Sequence, residues 1–105
     1  MVEINVIDEP LTLGADLEKT ITVYENAIGH YAARARRIIG SGDGTIRAIE
    51  NLVTTAGIQK GFKVLRDRGQ MDSTFEALVI RHCDQFSSTA VEAARWRLDN
   101  AYNLT

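Results

Sequence analysis

His82 and Cys83 stand side by side, and a thiol next to an imidazole is the pairing that nucleophilic catalysis uses to make a thiolate. Successive helix positions point about 100° apart, so adjacency in sequence does not turn these two side chains toward each other. Packing is the expected role of Cys83, the single cysteine, which also excludes an internal disulfide and a four-thiolate zinc site. His30 and His82, the only two histidines, fall on different predicted helices with neither His-x-x-x-His nor Glu-x-x-His spacing, so no metal or cofactor is expected. Gly40-Ser41-Gly42-Asp43-Gly44 could offer backbone N–H groups to a phosphate. It lacks the lysine and Ser/Thr of a P-loop, no strand precedes it, and Asp43 repels an anion, so it reads as a helix–helix connection. The carboxylates form no acid/base dyad that spacing can place, and no enzyme is expected.

The sharpest motif runs from Leu52 through Thr54-Thr55-Ala56-Gly57-Ile58-Gln59-Lys60-Gly61-Phe62-Lys63-Val64-Leu65 to Gly69. These residues resemble the helix-turn-helix of the Cro/repressor class, in which a helix ends at Ala-Gly, an aliphatic residue follows, and a second helix closes at glycine. The resemblance implies a second helix that enters the DNA major groove, with Ala56, Gly57 and Ile58 in the turn and Val64 and Leu65 facing inward. Gln59, Lys60, Lys63 and Arg66 would then be the DNA-facing groups, the cations attracting phosphate. The chain departs from that pattern at Val53, Gly61 and Phe62.

Charge is unevenly spread. The whole chain carries −2, but Met1 to His30 sets Lys19 against six acids for a balance of −5, and Tyr31 to Gln70 reverses this to +5. An acidic first third lying against a basic middle accounts for the split, and a nucleic-acid or acidic partner is the other explanation. A length of 105 residues with 45% hydrophobic content suits one domain. No apolar run is long enough for a membrane span and no secretory signal pattern is present, so no membrane partner and a cytoplasmic location are expected.

The elements that would position these residues follow from periodicity. Leu17, Ile21, Tyr24, Ile28, Tyr31, Ala35 and Ile38 alternate four and three apart, which predicts one long amphipathic helix, N-capped by Asp16 and running to about Ile39. Glu18 and Glu25 lie early in it and Arg34, Arg36 and Arg37 late, as the helix dipole favours. Asp43 can cap a second helix to about Ala56, with Ile46, Ile49, Leu52 and Val53 inward. A third spans about Gln59 to Arg68, with Phe62, Val64 and Leu65, and stops at Gly69. Ser73-Thr74-Phe75-Glu76 and Thr89-Ala90-Val91-Glu92 fit capping boxes for a fourth and a fifth helix. The fourth would bury Phe75, Leu78 and Val79; the fifth would reach about Tyr102 with Val91, Ala94, Leu98 and Ala101 inward. Val2, Ile4 and Val6 alternate with polar residues, so residues 1–14 read as an arm or an exchanged strand, and residues 15–105 as a single helical domain.

Trp96 falls about 140° to 160° from Val91 and Leu98 on a helical wheel, so the last helix is either buried on two sides or exposes an indole. Burial within the monomer is the expectation, although Arg95 and Arg97 give it the surroundings of an interface anchor. The fold expected is therefore an all-α compact bundle of about five helices with one long N-terminal helix. The function expected is a non-catalytic interaction module, self-associating or bound to another protein through Val2, Ile4, Val6, Tyr24, Ile28, Tyr31 and Trp96. A small helix-turn-helix DNA-binding regulator is the first alternative. A small-ligand-binding helical protein is the second, and a large polar-lined pocket around His30 or His82 would favour it.

Overall fold

The computed structural model describes residues 11–39, 44–55 and 60–104, and among these every regular element is helical. Six α-helices follow in order: α1 (Leu13–Ile28), α2 (Ala33–Ile39), α3 (Gly44–Thr54), α4 (Lys60–Asp67), α5 (Phe75–Arg81) and α6 (Ser88–Asp99). Single 3-10 turns at Met71–Ser73, Cys83–Gln85 and Ala101–Asn103 complete the described chain. Val2, Ile4 and Val6 lie outside the described residues, as do Asp43, Gln59 and the glycine-rich stretch 40–43.

The single long first helix is replaced by two. Gly29 takes a left-handed φ of 79° and closes α1 through its N–H to the Glu25 carbonyl, after which the chain turns through His30 to Ala32 before α2 begins. Only a residue without Cβ adopts that φ cheaply, so the glycine overrides a periodicity that continues on both sides of it. The turn is clasped from within. The Glu25 carboxylate accepts the Ala32 N–H at 2.9 Å and the Arg36 Nε–H at 3.0 Å, and Arg36 also reaches Glu18 and Thr22. Hydrogen bonding by Arg36 is the main reason the Glu25 carboxyl is held down to about 2.

The caps also move. Thr12, not Asp16, caps α1 by accepting the Ala15 N–H; Thr74, not Ser73, caps α5 by accepting the Ala77 N–H; Ser87, not Thr89, caps α6 by accepting the Ala90 N–H. Each satisfies a helix-start donor that would otherwise be orphaned. α6 ends at Asp99 and its buried stripe is Ala90, Ala94 and Arg97, continued by Ala101, while Val91 and Leu98 are half-buried.

α1 is the central strut, packed on α2, α4 and α5, and α6 closes the other side against α5 and α3. Leu17, Ile21, Ile49, Val53, Leu78 and Val79 form the dry centre, each removed from water almost completely. Burial of one such side chain contributes about 1.5–3 kcal/mol. Ala90 and Ala94 add little area, but their size lets the backbone of α6 approach α5 closely. Arg97, between them and Ala101, donates to the Glu76 carboxylate and the Leu52 carbonyl, each at 3.0 Å, and to the Thr55 carbonyl. One guanidinium thus ties α6 to the start of α5 and satisfies carbonyls at the C-terminal end of α3.

Candidate functional site

Three places in this framework gather side chains that could bind something. The first is an open cleft of about 440 Å³ walled by the second half of α1, the His30–Ala32 turn, α2, α4 and the start of α5. Its floor is apolar, with Ile21, Ile38, Phe62 and Leu65 all buried. Its sides carry Tyr24, Ile28, Tyr31 and Phe75, so three of the side chains expected at an interface meet in one concavity. Tyr31 stays 68% exposed at the mouth, its ring 5.9 Å from the Arg36 guanidinium carbon, within cation–π range.

Gly61 explains part of that space. A Cβ placed there would stand 3.4 Å from the Tyr24 ring, so a glycine inside α4 lets the tyrosine lie against the helix backbone. A helix-interior glycine costs about 1 kcal/mol relative to alanine. Arg34 and Lys60 border the same cleft, are both exposed, and make no ion pair among the described residues. Among the described residues the one carboxylate in the lining, Glu76, is engaged by Arg97. Burial is the main influence on Glu76 and pushes its carboxyl up, against the opposing pull of Arg97.

The second place surrounds Asp16. Its carboxylate accepts Arg81 Nε–H at 2.8 Å and Nη2–H at 2.9 Å, and His82 lies with Nε2 at 2.7 Å. Burial works against ionisation and is the largest single influence, but Arg81 and His82 together outweigh it, so the carboxyl sits below the ordinary aspartate range. A cavity of about 400 Å³ adjoins the cluster, bordered by Lys19, Thr20, Asp72 and Ser73. Asp16 was readable as a cap; instead it faces inward and pins α1 to the end of α5. His82 is buried and Cys83 exposed, so the thiol–imidazole pair is not assembled and the packing role expected of the cysteine is not the one it has.

The third is the outer face of α6. Ser88, Thr89, Glu92, Arg95, Trp96 and Asp99 are all exposed, and Trp96 keeps 56% of its surface in water, against the expected burial. The inward stripe of this helix is filled by alanines and Arg97, which leaves no place inside for an indole on the opposite side.

Of the residues that the helix-turn-helix resemblance would face toward DNA, Lys60 is exposed at the cleft mouth and Lys63 is half-buried. Arg66 instead folds back to donate to the Ala101 carbonyl at 3.1 Å and the Leu104 carbonyl at 2.5 Å. The helix that carries them, α4, packs chiefly on α1, and Phe62 joins Leu65 on its buried side. Among the described residues no three His, Cys, Asp or Glu side chains gather as metal ligands, and no helix is long and apolar enough to cross a membrane. Compared with known proteins, the chain matches no family model, no curated protein and no solved structure.

Sequence reading missed Asp16, Glu76, Arg81 and Arg97 as organising residues. A signal existed for Arg97: it lies three positions after Ala94 and four before Ala101, on the apolar stripe itself. Asp16 likewise directly precedes buried Leu17.

Proposed function

We propose that this chain is a non-catalytic helical interaction module that self-associates, with a second copy docked on the outer face of α6. Trp96 carries the reading, because a large indole held half out of water on a regular helix is the residue type that anchors interfaces. Helical geometry puts Ser88, Glu92, Arg95 and Asp99 within an arc of about 60°, with Trp96 about 40° beyond its edge. Acid and base alternate along that arc. An antiparallel second copy related by a two-fold axis can therefore set each Arg95 against Asp99 of the other chain, with the two indoles close to the axis. The identical arrangement turned parallel would align like charges, so the charge pattern favours one orientation.

The test is the solution mass across a dilution series. A concentration-dependent dimer is expected for the natural chain, and Trp96→Lys should be largely monomeric at concentrations where the natural chain dimerises, while Tyr31→Lys, in the cleft, leaves the dimer intact. Loss of the tryptophan contact should raise the dissociation constant about 30-fold, the scale of an interface hot spot near 2 kcal/mol. Arg95→Asp should weaken the dimer, and Arg95→Asp with Asp99→Arg should recover it. A natural chain that stays monomeric at high concentration, or a Trp96→Lys variant that dimerises as well, overturns the reading.

A further inference from the structure

The cleft is a different kind of surface from α6, and it has room for a guest rather than a partner. We propose that it binds a single-chain anionic amphiphile, a molecule of the fatty-acid class whose alkyl body lies between Tyr24, Ile28, Phe62 and Phe75 and whose carboxylate meets Arg34 and Lys60. Its volume of about 440 Å³ falls within the range of small-ligand pockets, roughly 300–1,000 Å³.

Three observations select this chemistry. The floor and walls are apolar and aromatic, so a guest gains by leaving water there in proportion to the apolar surface it hides. Among the described residues the mouth is of one sign: Arg34 and Lys60 are exposed without an ion pair, whereas the neighbouring Arg36 is held by Glu18 and Glu25 and the only described carboxylate in the lining by Arg97. A head group of negative charge is therefore attracted, and a cationic one of the same body is repelled.

The walls present mainly apolar and aromatic side chains of α1, α2, α4 and α5 to the slot. An extended peptide would bring unpaired N–H and C=O groups into an apolar slot that offers them few partners, which an alkyl chain does not. Gly61 lines the slot, and a methyl group there would occupy part of it at ordinary contact distance from the Tyr24 ring.

Calorimetric titration with dodecanoate, kept below its micelle-forming concentration, tests the assignment. One molecule per chain is expected to bind, dodecyltrimethylammonium about tenfold or more weakly, and acetate not measurably. The double variant Arg34→Glu, Lys60→Glu changes only exposed side chains, so it should keep the melting temperature and lose most of the preference for the carboxylate. Trp96→Lys should bind dodecanoate as the natural chain does, which separates this site from the association proposed on α6. No binding of dodecanoate, equal binding of both head groups, several molecules per chain, or an undiminished preference in the double variant would each overturn it.

Discussion

The outer face of α6 and the cleft beside α1 both leave aromatic rings in water, yet they differ in shape and in sign. The α6 face is convex and mixes Glu92, Arg95 and Asp99 around Trp96; the cleft is concave and sets Arg34 and Lys60 over an apolar floor. A convex face with alternating charge can be covered only by a complementary surface, and a copy of itself supplies one. A concave slot with one sign of charge repels its own copy and suits a guest of opposite charge. The two proposals accordingly put association on one side of the molecule and small-molecule binding on the other.

The Arg97–Glu76 pair ties α6 to α5, and breaking that strut should have the largest effect. Arg97→Met leaves the Glu76 carboxylate buried without its cation and removes the Arg97 hydrogen bonds to the Leu52 and Thr55 carbonyls, and removal of one member of a buried pair costs about 3–5 kcal/mol. Denaturant unfolding should show that loss, and both the dimer and dodecanoate binding should fail together. If only one fails, the strut serves that side alone.

Asp16→Asn acts on the cleft side, where Asp16 joins α1 to α5. A loss of about 2 kcal/mol is expected, less than for a fully enclosed pair because the Arg81 side chain keeps 38% of its surface in water. The folded-state carboxyl lies below its ordinary value of 3.8, so its contribution is present in full above that pH and disappears as pH falls through the lower folded value. An acid titration of stability should therefore show the natural chain converging on the Asp16→Asn variant below about pH 3.8. Parallel curves down to strong acid would remove Asp16 as the cause.

Gly61→Ala gives the smallest and most discriminating effect. Alanine favours α4 by about 0.5–1 kcal/mol, and its methyl group meets the Tyr24 ring at ordinary contact distance. The variant should melt higher, bind dodecanoate more weakly and dimerise unchanged. A rise in stability with no loss of binding would mean that the glycine does not shape the slot.

Much of the helical content could be read locally. Phe62, Leu65, Leu78, Val79, Ile49 and Val53 all turn inward as their spacing predicts, and Gly69 ends its helix with the positive φ of 70° that a glycine stop requires. Gly29 illustrates where periodicity failed. A three-and-four pattern that continues past a glycine is compatible with one helix or two, and the choice depends on whether Glu25 finds Ala32 and Arg36 across the turn.

The candidate sites were legible in part. Tyr24, Ile28, Tyr31 and Trp96 stood out because large apolar residues lacked an evident partner within their own helices. Nothing local distinguishes the first three, which wall a cavity, from Trp96, which faces outward; that depends on where α4 and α5 lie. Nor could spacing reveal that Arg66 is drawn back to the Ala101 and Leu104 carbonyls instead of standing beside Lys60.

Composition and short-range spacing by themselves determined that this is an all-helical chain, where most of its helices lie and which aliphatic residues they bury, because a helix is held by bonds between residues four apart. Tertiary structure alone decided the pairing of Asp16 with Arg81 and His82 and of Glu76 with Arg97, the division of the first helix, the cleft and the exposure of the indole. Those features depend on groups brought together from beyond a single helix, from 7 residues apart at the Glu25–Ala32 turn to 66 at Asp16–His82, where the balance between hydration and a buried partner is set by packing and leaves no periodic trace in the sequence.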